Sequence, residues 1–551
     1  MAKRERRPAE DERDRSPPPD VFSPAERAML SAHVTNIDGD VFALRNLPEV
    51  VKGALFARYS RSPKSLRRLF LDEFAPTLGA QASTAPSTVG LERAEALYER
   101  VLGEYGDDSV AQLGGAHVAV ERASNLLTKQ LEWGRLAAYL EQSTRYVAYD
   151  DLPGGRYRYY RDPEVLAGPH AEPYLKALDA IFTRYAALLP RVLEWVRAAH
   201  PHDPRTSDPA WRRATKAKAL DLLRGLLPAA TTSNLGIFAD GQAYEQLLLR
   251  LRASELAEAR ACGDRMLIEL RKVIPSFLSR VDRPDRGGAW SEYLATTRAS
   301  TRALADRIAG RLVPASGPEV SLVDWARRDP FDAEVDLVTA MLYPAVTIPE
   351  GQLRRVVAEL PAEERRRVVA AYVGERGNRR HKPGRAFERV WYRFDILGDY
   401  GAFRDLQRHR MLTIEWQDLT TRHGYDTPPE ITEAGVEGDW HETLERSAEL
   451  YERLLDDHPI QAQYAVCFAY RVRYVLQLNA RSAMHVIELR SSPQGHATYR
   501  RVVQRMHELV RNQAGHELVA DAMTFVDRGT AELERLASER RADARRTALD
   551  A

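Results

Sequence analysis

The stretch Gln130-Leu-Glu-Trp-Gly-Arg-Leu-Ala-Ala-Tyr-Leu-Glu-Gln-Ser-Thr-Arg-Tyr146 has a second version in the same chain, Leu406-Gln-Arg-His-Arg-Met-Leu-Thr-Ile-Glu-Trp-Gln-Asp-Leu-Thr420, with Arg135 and Arg410 at equivalent places. Further on, Gly241-Gln-Ala-Tyr-Glu-Gln-Leu-Leu-Leu-Arg-Leu-Arg252 lines up with Asn479-Ala-Arg-Ser-Ala-Met-His-Val-Ile-Glu-Leu-Arg490, equal in length and ending in the same Leu-Arg pair. Two motifs repeated in one order indicate an internal duplication, which governs the whole fold assignment. The copies differ in spacing: 108 positions separate Trp133 from Gly241 and 71 separate Arg408 from Asn479, a difference of 37. The extra residues of the first copy are expected between Asp150 and Pro209, where Pro153-Gly-Gly155 and His200-Pro-His-Asp-Pro204 read as loop, and they form either a lid or a packing helix.

Around these motifs the first half is dominated by helical periodicity, as in Tyr174-Leu-Lys-Ala-Leu-Asp-Ala-Ile-Phe-Thr-Arg-Tyr185. In the second half Val390, Tyr392, Phe394 and Ile396 share one side of a period-two alternation, which predicts a half-buried strand. Helical patterns follow at Glu442–Leu455 and Thr498–Val510. Strands mixed irregularly with long helices predict an α+β class, helix-rich, with a small, mostly antiparallel sheet in each copy. Val313-Pro-Ala-Ser-Gly-Pro318 breaks the periodicity and is the expected linker between a first copy at 23–312 and a second at 319–551. Residues 1–22, charged and carrying Pro17, Pro18 and Pro19, are expected to be a disordered tail.

Composition narrows the function. Among 551 residues, 80 Lys+Arg against 79 Asp+Glu leave a net charge of +1, so no global field recruits nucleic acid or an anionic membrane. The chain has no apolar run long enough to span a bilayer, and its N-terminus lacks the apolar core of a signal peptide. Two cysteines, Cys262 and Cys467, are too few for a disulfide framework, and a reducing cytoplasm is expected.

Three clusters carry chemistry. Arg408-His409-Arg410 gathers cations that are costly to hold together without an anion or an electron-rich ring to share the charge. Asn479-Ala-Arg-Ser482 is followed by His485 and Arg490 on adjacent faces of one predicted helix. In Glu141-Gln-Ser-Thr-Arg-Tyr146, a hydroxyl and a guanidinium two apart suit a phosphate. Taken singly, these read equally as a solvated face, a polar helix surface and a plain turn.

Together they resemble the flavin-dependent thymidylate synthase family, whose signature is Arg-His-Arg, seven residues, Ser, any residue, Arg, with an Asn-x-Arg-Ser…Leu-Arg block downstream. A family chain is about half this length, so the resemblance implies two fused copies. The first keeps Ser143 and Arg145 but reads Trp133-Gly134-Arg135 in place of Arg-His-Arg, and Gly241-Gln-Ala-Tyr244 in place of Asn-x-Arg-Ser. The second keeps Arg408-His409-Arg410 and Asn479-Ala-Arg-Ser482 but has Asp418 and Thr420 where the signature wants Ser and Arg. The losses are complementary.

The resemblance implies that Gln130, Glu141, Ser143, Arg145, Arg224 and Arg408 bind the nucleotide. It implies that Arg408, His409, Arg410, Glu388, Asn479, Arg481 and His485 bind flavin, with Ser109 and Ser60 of the first copy. Arg490 matches the arginine that activates the pyrimidine, and neither Cys262 nor Cys467 has the setting of a nucleophile. The reaction implied is reductive methylation of dUMP to dTMP with FAD, NADPH and 5,10-methylenetetrahydrofolate, small-molecule substrates bound between the copies. A homodimer would then be a pseudo-tetramer with two complete sites. A methylase of another pyrimidine nucleotide such as UMP, and a non-catalytic flavin- or nucleotide-binding protein, are the alternatives.

Overall fold

The computed structural model describes residues 20–60, 62–75, 108–530, 533 and 535–550; the expected tail lies, up to residue 19, outside the described residues. The duplication is visible as a strand–helix–strand unit built twice. In the first copy β1 (Gly115–Ser124) runs into α1 (Asn125–Leu131), β2 (Ala137–Glu141) follows, and after the helices α2 (Ala171–Ala199) and α3 (Asp208–Leu223) comes β3 (Thr232–Asp240), leading into α4 (Gly241–Arg252) and α5 (Ala257–Leu270). After β4 (Val320–Trp325), the second copy repeats the series as β5 (Trp391–Asp399), α6 (Tyr400–Gln407), β6 (Thr413–Trp416), α7 (Glu437–Leu455), β7 (Arg471–Asn479), α8 (Ala480–Arg490) and α9 (Ala497–Asn512).

The sheets repeat as well. The first has the order β1-β3-β2 and the second β4-β5-β7-β6, the same arrangement with one edge strand added. β5 and β7 are antiparallel in register from Trp391↔Asn479 to Asp399↔Arg471. The expected strand is present, with Val390, Tyr392, Phe394 and Ile396 all fully buried. The helices expected at Glu442–Leu455 and Thr498–Val510 are α7 and α9.

Four times a strand passes directly into a helix, and each time the last strand residue caps it, satisfying an amide that the helix leaves free. Ser124 accepts from Leu127 N at 3.0 Å, Asp240 from Ala243 N at 2.7 Å, Asp399 from Ala402 N at 2.7 Å and Asn479 from Ser482 N at 2.8 Å. This corrects the sequence alignment by one residue. Asp240, not Gly241, is the counterpart of Asn479, and the shared Leu-Arg ending had pulled the two helices out of step.

The extra residues of the first copy are not a lid. They lengthen α2 to 29 residues against 19 in α7. They also add α3, which has no counterpart, packs against α2 and buries Ala210, Ala214, Leu220 and Leu223. Much of this insertion therefore falls beyond Pro209, where the sequence reads as helix rather than loop.

By compactness the chain forms two units: one of residues 1–118, 238–253 and 262–294, the other of residues 119–237, 254–261 and 295–551. The first has its own core around Val50, Val51, Leu55, Tyr244, Leu248 and Phe277. The second contains most of the duplicated elements, β4 to β7 and α1 to α3 among them. Residues 313–318, the expected linker, have no regular structure. No helix among the described residues is long and apolar enough to cross a membrane.

Within the second unit the copies are joined through their main chains. Ala229 N donates to Val466 O at 2.8 Å and Phe468 N to Leu227 O at 2.9 Å; Ala230 N donates to Tyr464 O at 2.9 Å and Ala469 N to Gly225 O at 2.8 Å. These bonds come in equivalent pairs around an antiparallel bridge between Pro228 and Cys467, which are themselves equivalent positions of the repeat. The chain folds back on itself about a pseudo-twofold axis, as two subunits of a symmetric dimer would.

Asp399, the cap of α6, is fully buried, and burial raises its carboxyl to about 6 against the opposing pull of Arg224 and the Ala402 amide. The folded chain thus binds this proton more tightly than the unfolded chain. The group's contribution to stability is complete below the unfolded pKa, near 4, and is lost as pH rises through about 6. Since Asn caps helices as well as Asp, Asp399→Asn is expected to gain about 2–3 kcal/mol relative to wild type between pH 4 and pH 7. Urea unfolding at the two pH values measures it.

Candidate functional site

The first shared feature of the site is a helix pointing across the axis. α6 of the second copy delivers Arg404 and Asp405 from its last turn and Arg408 from the residue that caps its end. The end of β2 in the first copy delivers Glu141 to the same place, and the segment after it delivers Ser143 and Arg145. Arg404 donates to Glu141 at 3.0 Å and Arg408 lies 3.6 Å from the same carboxylate. Lys129, almost wholly buried, stands 3.4 Å from Glu141 on another side. Burial alone would raise the Glu141 carboxyl, but Arg404, Lys129 and Arg408 outweigh it and hold it down to about 2.

Asp405 is the centre of the arrangement. It is ion-paired with Arg408, 3.3 Å from Arg490 and 3.7 Å from Arg224, and its carbonyl accepts from Arg490 at 2.6 Å. Burial opposes its ionisation, yet Arg408, Arg490, Arg224 and Arg145 keep its carboxyl well below the usual range. Arg145 is anchored by Asp221 at 2.5 Å and by the Gln494 carbonyl at 3.2 Å, and Arg224 lies 3.4 Å from Asp221. Asp221 and Arg224 sit on one turn at the end of α3, so the insertion in the first copy supplies part of the site.

Three neutral imidazoles complete it. Arg490 Nε donates to His409 Nε2 at 2.9 Å, so His409 carries no proton on that nitrogen. Burial, then Arg490 and His485, drive its pKa well down. His485 packs edge-on against His409 at 5.5 Å and is lowered to about 4 by burial and by Lys382, Arg379, Arg490 and Arg481. His496, the cap of α9, is lowered to about 3 by burial and by Arg224.

Chemically the cluster is suited to an anion. Arg145 Nε and Arg224 Nη2 are buried donors without a hydrogen-bond acceptor. Arg145, Arg224, Arg404, Arg408 and Arg490 gather around Glu141, Asp221 and Asp405, while Lys129 is shared between Glu141 and the buried Glu132. Buried guanidinium donors of this kind suit phosphate and carbonyl oxygens.

Of the residues expected from sequence, Glu141, Ser143, Arg145, Arg224, Arg408, His409 and Arg490 are brought together, Ser143 accepting from Arg145 N at 3.3 Å. His485 adjoins them. Gln130 is not among them: its side chain accepts from Ser254 at 2.8 Å. It is the repeat equivalent of Asp405, and the pseudo-axis carries the two to opposite sides, so the place expected for Gln130 belongs to Asp405. Arg410 donates to the Ala137 carbonyl, and Asn479 is occupied as a cap. Arg481 donates to the Pro383 carbonyl at 2.9 Å and lies 3.6 Å from Glu388. Ser60, which donates to Ala57 O at 2.9 Å, belongs to the other compact unit. So does Ser109, in the short 3-10 helix Asp108–Leu113, its own side chain lying outside the described residues.

Asp405, Asp221, Arg404 and His496 stand in the same cluster and are not among the residues expected from sequence. The first two carried a signal: Asp405 stands three residues before Arg408 and Asp221 three before Arg224, a spacing that pairs charges on one helix face. Neither cysteine is a nucleophile. Cys467 donates to Leu226 O at 3.1 Å and burial pushes its thiol up to about 12, and Cys262 is buried.

The family described as thymidylate synthase complementing protein matches twice, over residues 56–276 and 345–514. The chain belongs to this family. Its two matched stretches agree with a tandem of two copies. A UPF0159 protein of Chlamydia pneumoniae is 40% identical over 526 residues, covering 94% of this chain and 98% of its own. Another from Thermoplasma acidophilum is 32% identical over 514 residues, covering 89% and 97%. The Helicobacter pylori flavin dependent thymidylate synthase ThyX, solved with FAD and dUMP, aligns at 18% identity with 37% of this chain and 99% of its own, at a TM-score of 0.26.

The three imidazoles supply a direct test. Their depressed pKa values mean that unfolded histidines take up protons first, so stability falls as pH drops below about 6.5. Histidine-selective NMR is expected to show no titration of His409, His485 or His496 between pH 5 and pH 8.

Proposed function

We propose that the chain is a flavin-dependent thymidylate synthase, methylating dUMP to dTMP with methylenetetrahydrofolate and NADPH at one site per chain built from both copies. The observation that carries this reading is the meeting of Arg145 and Arg224 of the first copy with Arg408 and Arg490 of the second around Asp405. The unpartnered donors Arg145 Nε and Arg224 Nη2 face where a nucleotide phosphate would be held, with Ser143 beside them.

Arg490 is the proposed catalytic residue. A guanidinium at the carbonyl edge of the pyrimidine stabilises the negative charge that develops as C5 becomes nucleophilic, without a covalent thiol. Asp405 and neutral His409 fix its plane from two sides, which orients that charge before the substrate arrives. When bound, the flavin supplies the reducing equivalents, and Arg408, His409, Arg481 and His485 are the residues that would hold it, with Asn479, Glu388 and Arg410 on the same unit. We place the reaction in the cytoplasm, where both buried cysteines stay reduced, and expect a homodimer with two complete sites.

On the other side of the pseudo-axis the equivalent residues are Thr420 for Arg145, Gln463 for Arg224, Trp133 for Arg408 and Leu251 for Arg490. Trp133 meets Trp416 edge-on at 5.5 Å, in the place equivalent to the Arg408–Glu141 pair. None of these four replacements carries a positive charge, which supports a single site per chain.

Purified chain incubated with dUMP, methylenetetrahydrofolate, NADPH and FAD is expected to form dTMP, detected by mass spectrometry and lost when any one component is omitted. Arg490→Ala should lower kcat/KM about 10²–10³-fold, and Arg145→Ala should weaken dUMP binding about ten- to hundredfold. Ser143→Ala and Arg408→Ala, from different copies, should each impair the same site. Calorimetric titration should give one dUMP per chain; two per chain, or product with UMP instead of dUMP, sinks this form of the reading.

A further inference from the structure

The C-terminal helix α10 (Leu536–Asp550) lies beyond both stretches that match the family, the second of which ends at residue 514. It is strapped onto α3 and onto the residues that lead into α3. Arg213 reaches Glu539 and Asp543 at 2.7 Å each, and Arg540 donates to Thr206 at 2.6 Å and to Asp203 at 2.9 Å. Ser207, the N-cap of α3, is hydrogen-bonded to Asp543 as well. Because Asp221 and Arg224 sit at the other end of α3, α10 is fixed to the same element that supplies part of the site.

Arg535 stands at the head of α10, its carbonyl accepting from Ser538 N at 2.9 Å and Glu539 N at 3.0 Å. Its guanidinium lies over the Tyr146 ring, 4.2 Å from the centroid. Tyr146 follows Arg145 directly, and its main-chain N donates to Ser143 O at 3.1 Å, so the stack sets Arg535 on the segment that carries Ser143 and Arg145. Stacking uses the face of a guanidinium and leaves the N–H groups in its plane free to donate. Arg535 Nε is shut off from water without an acceptor, and the side chain makes no ion pair among the described residues. Glu539, one turn further on, is engaged by Arg213. Burial, then the charge of Arg145, lowers the Arg535 guanidinium to about 10. Donors kept from water without an acceptor are costly, and Arg145 Nε and Arg224 Nη2 are in the same condition. A single phosphate group, with three acceptor oxygens, satisfies donors of this kind together.

We infer that Arg535 is a third arginine of the nucleotide's phosphate site, carried to it by a C-terminal helix outside the region that matches the family. The inference rests on the nucleotide reading above and adds to it a residue from α10. Affinities for dUMP and for deoxyuridine, which lacks the phosphate, are measured by calorimetry, the weaker ligand by displacement, in wild type, Arg535→Ala and Arg535→Lys. Arg535→Ala is expected to bind dUMP about ten- to hundredfold more weakly and deoxyuridine as tightly as wild type, which also shows that the chain is folded. Arg535→Lys, which keeps the charge without the planar stack, is expected to recover part of the loss. Equal dUMP affinities of wild type and Arg535→Ala, or equal losses for dUMP and deoxyuridine, overturn the role of Arg535 alone. A wild-type chain that binds dUMP no more tightly than deoxyuridine, or binds neither, overturns both that role and the nucleotide reading.

Discussion

The antiparallel main-chain bridge between residues 225–230 and 464–469 is the constraint on which the site depends. Backbone bonds of this kind fix two segments in register as well as in distance, and their pairing about Pro228 and Cys467 places equivalent residues of the two copies at symmetric points. Once that register is set, the end of α3 and the segment after β2 must face α6 and α8 across the axis. Arg145 and Arg224 then meet Asp405, Arg408 and Arg490 with no further choice of geometry. The same register carries Gln130 away from them and toward Ser254.

What makes so many arginines tolerable in one place is the division of anions among them. Asp221 holds Arg145 and Arg224, Asp405 holds Arg408 and Arg490, and Glu141 takes Arg404, Arg408 and Lys129. Each carboxylate is buried, and each stays ionised because cations outweigh the cost of desolvation. Buried ion pairs contribute little net stability compared with apolar packing. The mirror side shows that alternative directly, with Trp133 against Trp416 in place of Arg408 against Glu141. One side of the axis is closed by aromatic packing and the other by a cluster of ion pairs.

Much of this was legible in the sequence, and the reasons it was not all legible are specific. The repeat was readable from Arg135 and Arg410, because both stand 11 positions after the residue that caps the preceding helix, Ser124 and Asp399. The downstream block was read one residue out of step, because Asp240 and Asn479 differ in type while performing the same capping bond. Residue types revealed Arg145, Arg408 and Arg490. Which of two equivalent helices would face them was decided by the pseudo-axis, a property of main-chain pairing that no local pattern records. For that reason Gln130 was expected in a place that Asp405 holds.

Fusion also explains how the halves came to differ. In a homodimer every substitution appears on both sides of the axis, so an arginine cannot be lost from one site and kept in the other. Joining two copies in one chain removes that constraint. Position 133 can become Trp while position 408 stays Arg, and position 420 can become Thr while position 145 stays Arg. Because each site draws one half from each copy, the losses that leave a site whole are those falling in the first copy's helix side together with the second copy's segment after β6. Trp133, Leu251, Asp418, Thr420 and Gln463 all lie in that set. The division of motifs between the copies is therefore what symmetry requires when one site of a pair is kept and its mate is released to become packing.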